Sequence, residues 1–174
     1  MKIKQALLAL IITPTILFNY AHAGGHDSTP ENYIGVGFSS MGSNVSGSTE
    51  LNLSSLSVML GRQINDNFSV ETRVASGIKE DGNRKLKRLY GLYLKAGIPM
   101  SENFYPYAIL GYSKASIKSS SSSVVVKSKS DTSMGLGFDL LVSDSFDIEV
   151  EYMKYIQSGD LKVGGLSFSF SRDF

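Results

Sequence analysis

Eight segments of this chain alternate, residue by residue, between large apolar side chains and small or charged ones, and few folds tolerate that pattern. Residues 33–40 set Ile34, Val36 and Phe38 against Gly35, Gly37 and Ser39. Residues 68–75 set Phe68, Val70 and Val74 against Ser69, Glu71 and Arg73; residues 88–98 set Leu92, Leu94 and Ile98 against Gly91, Tyr93, Lys95 and Gly97. The same period runs through residues 55–64, 105–114, 133–142, 146–153 and 163–174. A period of two belongs to the β-strand, whose successive side chains point to opposite faces. A soluble sandwich would bury the large parity and hydrate the other. Here the second parity is too small and glycine-rich for a well-solvated outer surface. It suits the crowded inside of a narrow closed barrel.

The segments are close to the ~9–11 residues that a tilted membrane-crossing strand needs. Between them, connections alternate in length. Residues 41–54, 76–87, 115–132 and 154–162 are long; residues 65–67, 99–103 and 143–145 are short. Short turns on one side and long loops on the other are the habit of membrane barrels. An all-β, eight-stranded, antiparallel up-and-down transmembrane barrel is therefore predicted over residues 33–174, with residues 24–32 as a flexible lead-in. An even strand count places both termini on the short-turn side. Composition alone does not show this, since 42% hydrophobic residues and a mean hydropathy of −0.01 look soluble. A barrel hides its apolar face in alternation, and 17 Gly with 9 Tyr and 9 Phe suit one.

The first residues read as a secretory signal: Lys2 and Lys4, an apolar core over residues 6–18, then Ala21-His22-Ala23 as a small-x-small cleavage site. Cleavage is predicted after Ala23, so residues 1–23 form a signal peptide. Of 17 Lys and Arg, the loss of Lys2 and Lys4 leaves 15 against 16 acids, a mature net charge of −1. No global-charge argument for nucleic acid survives. Cysteine is absent, which excludes disulfides, thiolate metal sites and Cys nucleophiles. Beyond Ala23 the sole histidine is His26, in the lead-in. A Ser-His-acid hydrolase needs an imidazole beside its nucleophile, and none stands on a strand. No enzyme activity, cofactor or metal is expected.

The C-terminal segment carries Leu166, Phe168 and Phe170 on one parity and ends on Phe174. It resembles the signal that outer-membrane barrels present to their assembly machinery, with Arg172 where an aromatic is usual. Ile64-Asn-Asp-Asn-Phe68, Pro106-Tyr-Ala-Ile-Leu-Gly-Tyr112 and Gly135-Leu-Gly-Phe-Asp139 add further likenesses in order and spacing. Together these residues resemble the eight-stranded OmpX/OmpA-like barrels, the porin-family or opacity-type proteins, over about residues 33–174. The resemblance implies a Gram-negative outer-membrane location and a non-enzymatic, structural or surface role. The monomer is the expected state.

Charge supplies the candidate sites. Glu71, Arg73, Lys95, Asp139, Asp147, Glu149 and Glu151 fall on the inward parity. Isolated charges inside a narrow barrel must pair or meet water. A structural salt-bridge network that fills the lumen is favoured over a gated ion path. Aromatic residues, Tyr90, Tyr105, Tyr112, Phe138, Phe146, Tyr152 and Phe168, are expected to mark the membrane boundaries. The long connections are basic: Lys79, Arg84, Lys85, Lys87 and Arg88 outweigh two acids, and Lys114, Lys118, Lys127 and Lys129 meet none. An outer rim of this sign suits lipopolysaccharide phosphates or an anionic host or phage surface. Ordinary solvated loops would read the same way. A surface-interaction barrel leads; a narrow solute channel and a soluble lipocalin-like barrel with the large parity inward are the competing functions.

Overall fold

The computed structural model describes residues 31–45, 51–81, 84–119, 125–143, 145–157 and 161–174. They form eight strands: β1 (Asn32–Val45), β2 (Leu51–Asn65), β3 (Phe68–Asp81), β4 (Arg84–Gly97), β5 (Phe104–Ser119), β6 (Val125–Ser143), β7 (Phe146–Ile156) and β8 (Leu161–Asp173). Each pairs antiparallel with the next, and β1 pairs with β8 to close a barrel. Closure satisfies every strand edge internally, which lipid requires. The seam ends where the Phe174 amide donates to the Asn32 carbonyl at 2.8 Å. That end, with the short turns, is the near end of the barrel, and the opposite one the far end. The near-end turns are locally encoded. Asn65 Oδ1 accepts the amides of Asn67 and Phe68, each at 2.9 Å, and so reverses the chain between β2 and β3.

The parity predicted from sequence holds on all eight strands. Leu92 is 66% exposed on the outer face while its neighbour Tyr93 is 2% exposed inside. The lipocalin-like arrangement, with large residues inward throughout, is overturned. The inner face is nonetheless not all small: Tyr33, Met59, Tyr93, Tyr107 and Ile109 are buried there. Glycine makes the room. A Cβ on Gly61 would collide with the Tyr33 ring, and one on Gly137 would lie 2.7 Å from Tyr107 Cζ. These inward rings lie over the neighbouring strand because the residue paired with each there, Gly61 or Gly137, has no side chain.

Strand length departs from expectation. The strands run from 11 residues in β7 to 19 in β6. Most of residues 41–54, 76–87, 115–132 and 154–162, expected as loops, is paired strand. Residues 1–30, 46–50, 82–83, 120–124, 144 and 158–160 lie outside the described residues, and with them the signal peptide, nearly all of the lead-in and most of the serine run 119–123. Polarity explains the misreading. Toward the far end the alternation continues with its sign reversed. Leu53, Leu86, Ile117, Leu161 and Val163 are buried inside the barrel, while Asn52, Lys87, Lys114 and Lys162 are exposed. Lipid rewards an apolar outer face and water an apolar interior, so the same period serves both media.

Candidate functional site: a charged lumen and an outward cation band

The inward charges meet near mid-barrel. Arg73 on β3 sends Nη1 and Nη2 to the two oxygens of Glu151 on β7, at 2.5 and 2.9 Å, a bidentate pair. Its Nε donates to Glu71, two residues along the same strand. Glu149 lies 3.9 Å from Arg73 Nη2 and 3.2 Å from Lys95 Nζ, so it is shared by both cations. Lys95 also reaches Asp139 at 3.2 Å. Tyrosines complete the shell: Tyr33 donates to Glu71 at 2.9 Å and Tyr107 to Glu151 at 3.2 Å. The Lys95 ammonium stands 4.0 Å from the Tyr107 ring centroid, and the Arg73 guanidinium 5.2 Å from that of Tyr93. The sequence reading missed these tyrosines, although Tyr93 and Tyr107 sit on the same parity as Lys95.

Two different environments flank this network. On the near side a cavity of about 400 Å³ is lined by Tyr33, Tyr105, Lys95 and the acids Glu31, Asp66, Glu102, Asp139, Asp147 and Asp173. Asp147 faces this cavity and is partly exposed. Tyr105 belongs here, its ring tilted by 35° with its centroid 6.4 Å from that of Tyr107, and not to an outer aromatic girdle as expected. On the far side an apolar core fills the barrel, with Met41, Leu53, Leu86, Ile117, Met153, Ile156 and Leu161 each at most 1% exposed.

The outer face shows a belt and a band. Leu92, Leu94, Leu110, Leu136 and Phe168 are exposed in the belt. Phe104 and Phe138 pack at 5.5 Å near its lower edge. Leu166, Phe168, Phe170 and Phe174, expected as an assembly signal, all lie exposed, on β8 or immediately after it. Arg172 sits 5.8 Å from the Phe146 ring centroid.

The basic residues expected on external loops stand instead on the far ends of strands, a correction to their setting. A bulge between Leu86 and Arg88 lets Leu86 turn inward while Lys87 and Arg88 are both exposed. Lys85 on β4 lies directly opposite Lys118 on β5, and Arg88 opposite Ser116. Lys114 and Lys79 are exposed. On the other side of β4, Arg84 lies opposite Asp81 of β3, and Lys85 opposite Glu80. Lys129 does not join this outward group. It lies opposite Ala115, which is buried inside, and Lys127 lies opposite Ile117.

Comparison with known proteins supports the fold. A family model described as outer membrane protein beta-barrel domain matches residues 8–174. No curated protein matches in sequence. Among solved structures, neisserial surface protein A superposes with a TM-score of 0.63 at 19% identity, covering 82% of this chain and 97% of its own. Ail of Yersinia pestis, solved in complex with the heparin analogue sucrose octasulfate, gives 0.61 at 18% identity, covering 83% and 99%. OprG of Pseudomonas aeruginosa gives 0.53 at 14% identity, covering 86% and 98%. At these identities the likeness is one of fold. The closed eight-stranded barrel and the family match over nearly the whole length agree, and the chain belongs to the outer-membrane β-barrel family of Gram-negative bacteria.

Proposed function

We propose that this outer-membrane barrel is a surface-interaction protein whose far end faces the cell exterior and whose outward cation band holds lipopolysaccharide. The carrying observation is the opposition of Lys85 and Lys118 across β4 and β5, beyond the apolar belt. Like charges directly opposite on one sheet face repel. An anion between them turns that cost into attraction, and phosphate groups are the anions found at the height of a barrel's outer rim. Glu80 offsets Lys85 from the β3 side, which leaves the β5 side, with Lys114 and Lys118, as the net cationic face. That Ail was solved with a heparin analogue supports a polyanion as ligand for a barrel of this fold.

The test replaces Lys85, Lys114 and Lys118 together with glutamine. The barrel should still show heat-modifiable gel migration, while lipopolysaccharide recovered per purified barrel should fall, most strongly at low ionic strength. Screening sets that dependence, with a Debye length of ~8 Å at physiological salt. Lys129→Gln serves as the control, since its backbone position belongs to the inner face. Unchanged lipopolysaccharide in the triple variant would sink the proposal.

A further inference from the structure

On seven of the eight strands the residue that follows the outward apolar run toward the far end falls into one of two classes; on β8 Leu166 gives way to Gly164. On β1, β2, β3 and β6 it is a hydroxyl: Phe38 gives way to Ser40, Leu56 to Ser54, Val74 to Ser76 and Met134 to Thr132. On β4, β5 and β7 the run ends on tyrosine and the next residue is a cation: Tyr90 then Arg88, Tyr112 then Lys114, Tyr152 then Lys154. Only β4 and β5 are neighbours among these three strands. There Tyr90 lies directly opposite Lys114. On β7, Lys154 is flanked instead by Met134 and Gly164.

Arg88, Tyr90, Tyr112 and Lys114 thus form one outward patch at the boundary of the belt. Arg88 Nη1 donates to the Tyr90 hydroxyl oxygen at 3.1 Å. That bond occupies an acceptor site on the phenol and leaves its proton to be donated elsewhere. Directly opposed side chains on a sheet begin ~5 Å apart at Cβ, so a single phosphate can touch both Lys114 and Tyr90. Tyrosine also favours this depth, its ring among acyl chains and its hydroxyl in the polar layer.

We propose that these four residues seat a phosphate of lipid A, the most deeply placed anion of lipopolysaccharide. The acyl chains would run down the wall formed by Leu92 and Leu110. Lys85 and Lys118, farther out on the same strands, meet phosphates of the core sugars. This assignment rests on the lipopolysaccharide function proposed above and divides its cation band into two tiers.

The experiment titrates the full folded barrel in detergent with three probes. They are a deep-rough lipopolysaccharide with phosphorylated lipid A and no core phosphate, the same material stripped of its lipid A phosphates, and phosphatidylglycerol vesicles. Arg88→Gln with Lys114→Gln should weaken binding of the first probe by about tenfold, as expected for lost hydrogen bonds to a charged group. Tyr90→Phe with Tyr112→Phe, which keeps both rings and so the packing, should weaken it in the same direction. Neither pair should change the weak binding of the stripped probe. Lys85→Gln with Lys118→Gln should leave the first probe unaffected and weaken only lipopolysaccharide that carries core phosphate. If the Lys85 and Lys118 pair matters for the deep-rough probe and the Arg88 and Lys114 pair does not, the lipid A seat is wrong while the broader function stands. If phosphatidylglycerol competes as well as lipid A, the patch is a general phospholipid contact and the assignment fails. If no lipopolysaccharide binds to the unmodified barrel, the broader function fails and this inference with it.

Discussion

Arg73 is 4% exposed and touches Glu71 on its own strand and Glu149 and Glu151 across the lumen. Removing a charge from such a cluster is worse than never having placed it there, because the partners stay buried. Arg73→Gln strands Glu71 and Glu151 and should cost about 3–5 kcal/mol of stability. Adding Glu71→Gln and Glu151→Gln to that variant should restore much of the loss, since coupled sites are not additive. Urea midpoints of the barrel in lipid vesicles report both steps. A single variant within 0.5 kcal/mol of the parent, on the order of an ordinary surface change, would show that the cluster is solvated and not structural. The excess of carboxylates over cations is accommodated by position. Asp139 and Asp147 line the near-end cavity, where Asp139 also reaches Lys95 and Asp147 is partly exposed.

At the scale of the strand, the outer face changes solvent partway along. Leu92 lies in the belt, 66% exposed, and Ser116 lies on the outward parity of β5 beyond the Tyr112 boundary. Leu92→Arg places a charge in hydrocarbon and should cost ~2–4 kcal/mol. Ser116→Arg stands in water opposite Arg88 and should cost only the roughly 0.2–1 kcal/mol of a cross-strand like-charge pair. Equal losses at the two positions, read as folded yield in lipid vesicles, would refute a belt that ends at Tyr112. The same change of solvent explains what was legible in the sequence. Ile34, Val36 and Phe38 declare a lipid-facing strand without any structure. Beyond Ser40 the outward residues are polar, while Met41, Leu53 and Leu86 point into the barrel. A pattern sought as apolar-out stops at that point, although the strand does not. Bulges hide the rest: the one at Lys87 reverses parity between Leu89 and Leu86, so Lys85 reads as inward from Tyr93 and Lys95 yet shares the outward band. The charged residues of the lumen were legible because parity reaches them unbroken. Their tyrosine partners were not, because a large aromatic on the small parity looks like an exception until Gly61 and Gly137 are seen to make its space.

Across the whole molecule, the interior is stacked in three tiers: an acid-lined cavity at the near end, the salt-bridged cluster, and the apolar core toward the far end. An ion entering the cavity finds carboxylates and water. To go farther it must part Arg73 from Glu151 and then cross side chains that offer it no ligand. Moving a bare ion from water to a medium like that core costs of order 20 kcal/mol in the idealised limit. The salt-bridged and apolar tiers therefore each close the path, and weakening one should leave the other shut. The barrel reconstituted in a planar bilayer should show no stable current steps. Arg73→Gln should remain silent as well, because Leu86, Ile117 and Leu161 still fill the far tier. Openings are expected only when serine replaces those three residues in the Arg73→Gln background, so that water can run the length of the lumen. Stable steps from the unmodified, heat-modifiable barrel would restore the channel as its function. Steps from Arg73→Gln alone would show that the salt-bridged tier is the gate and that the apolar tier leaks.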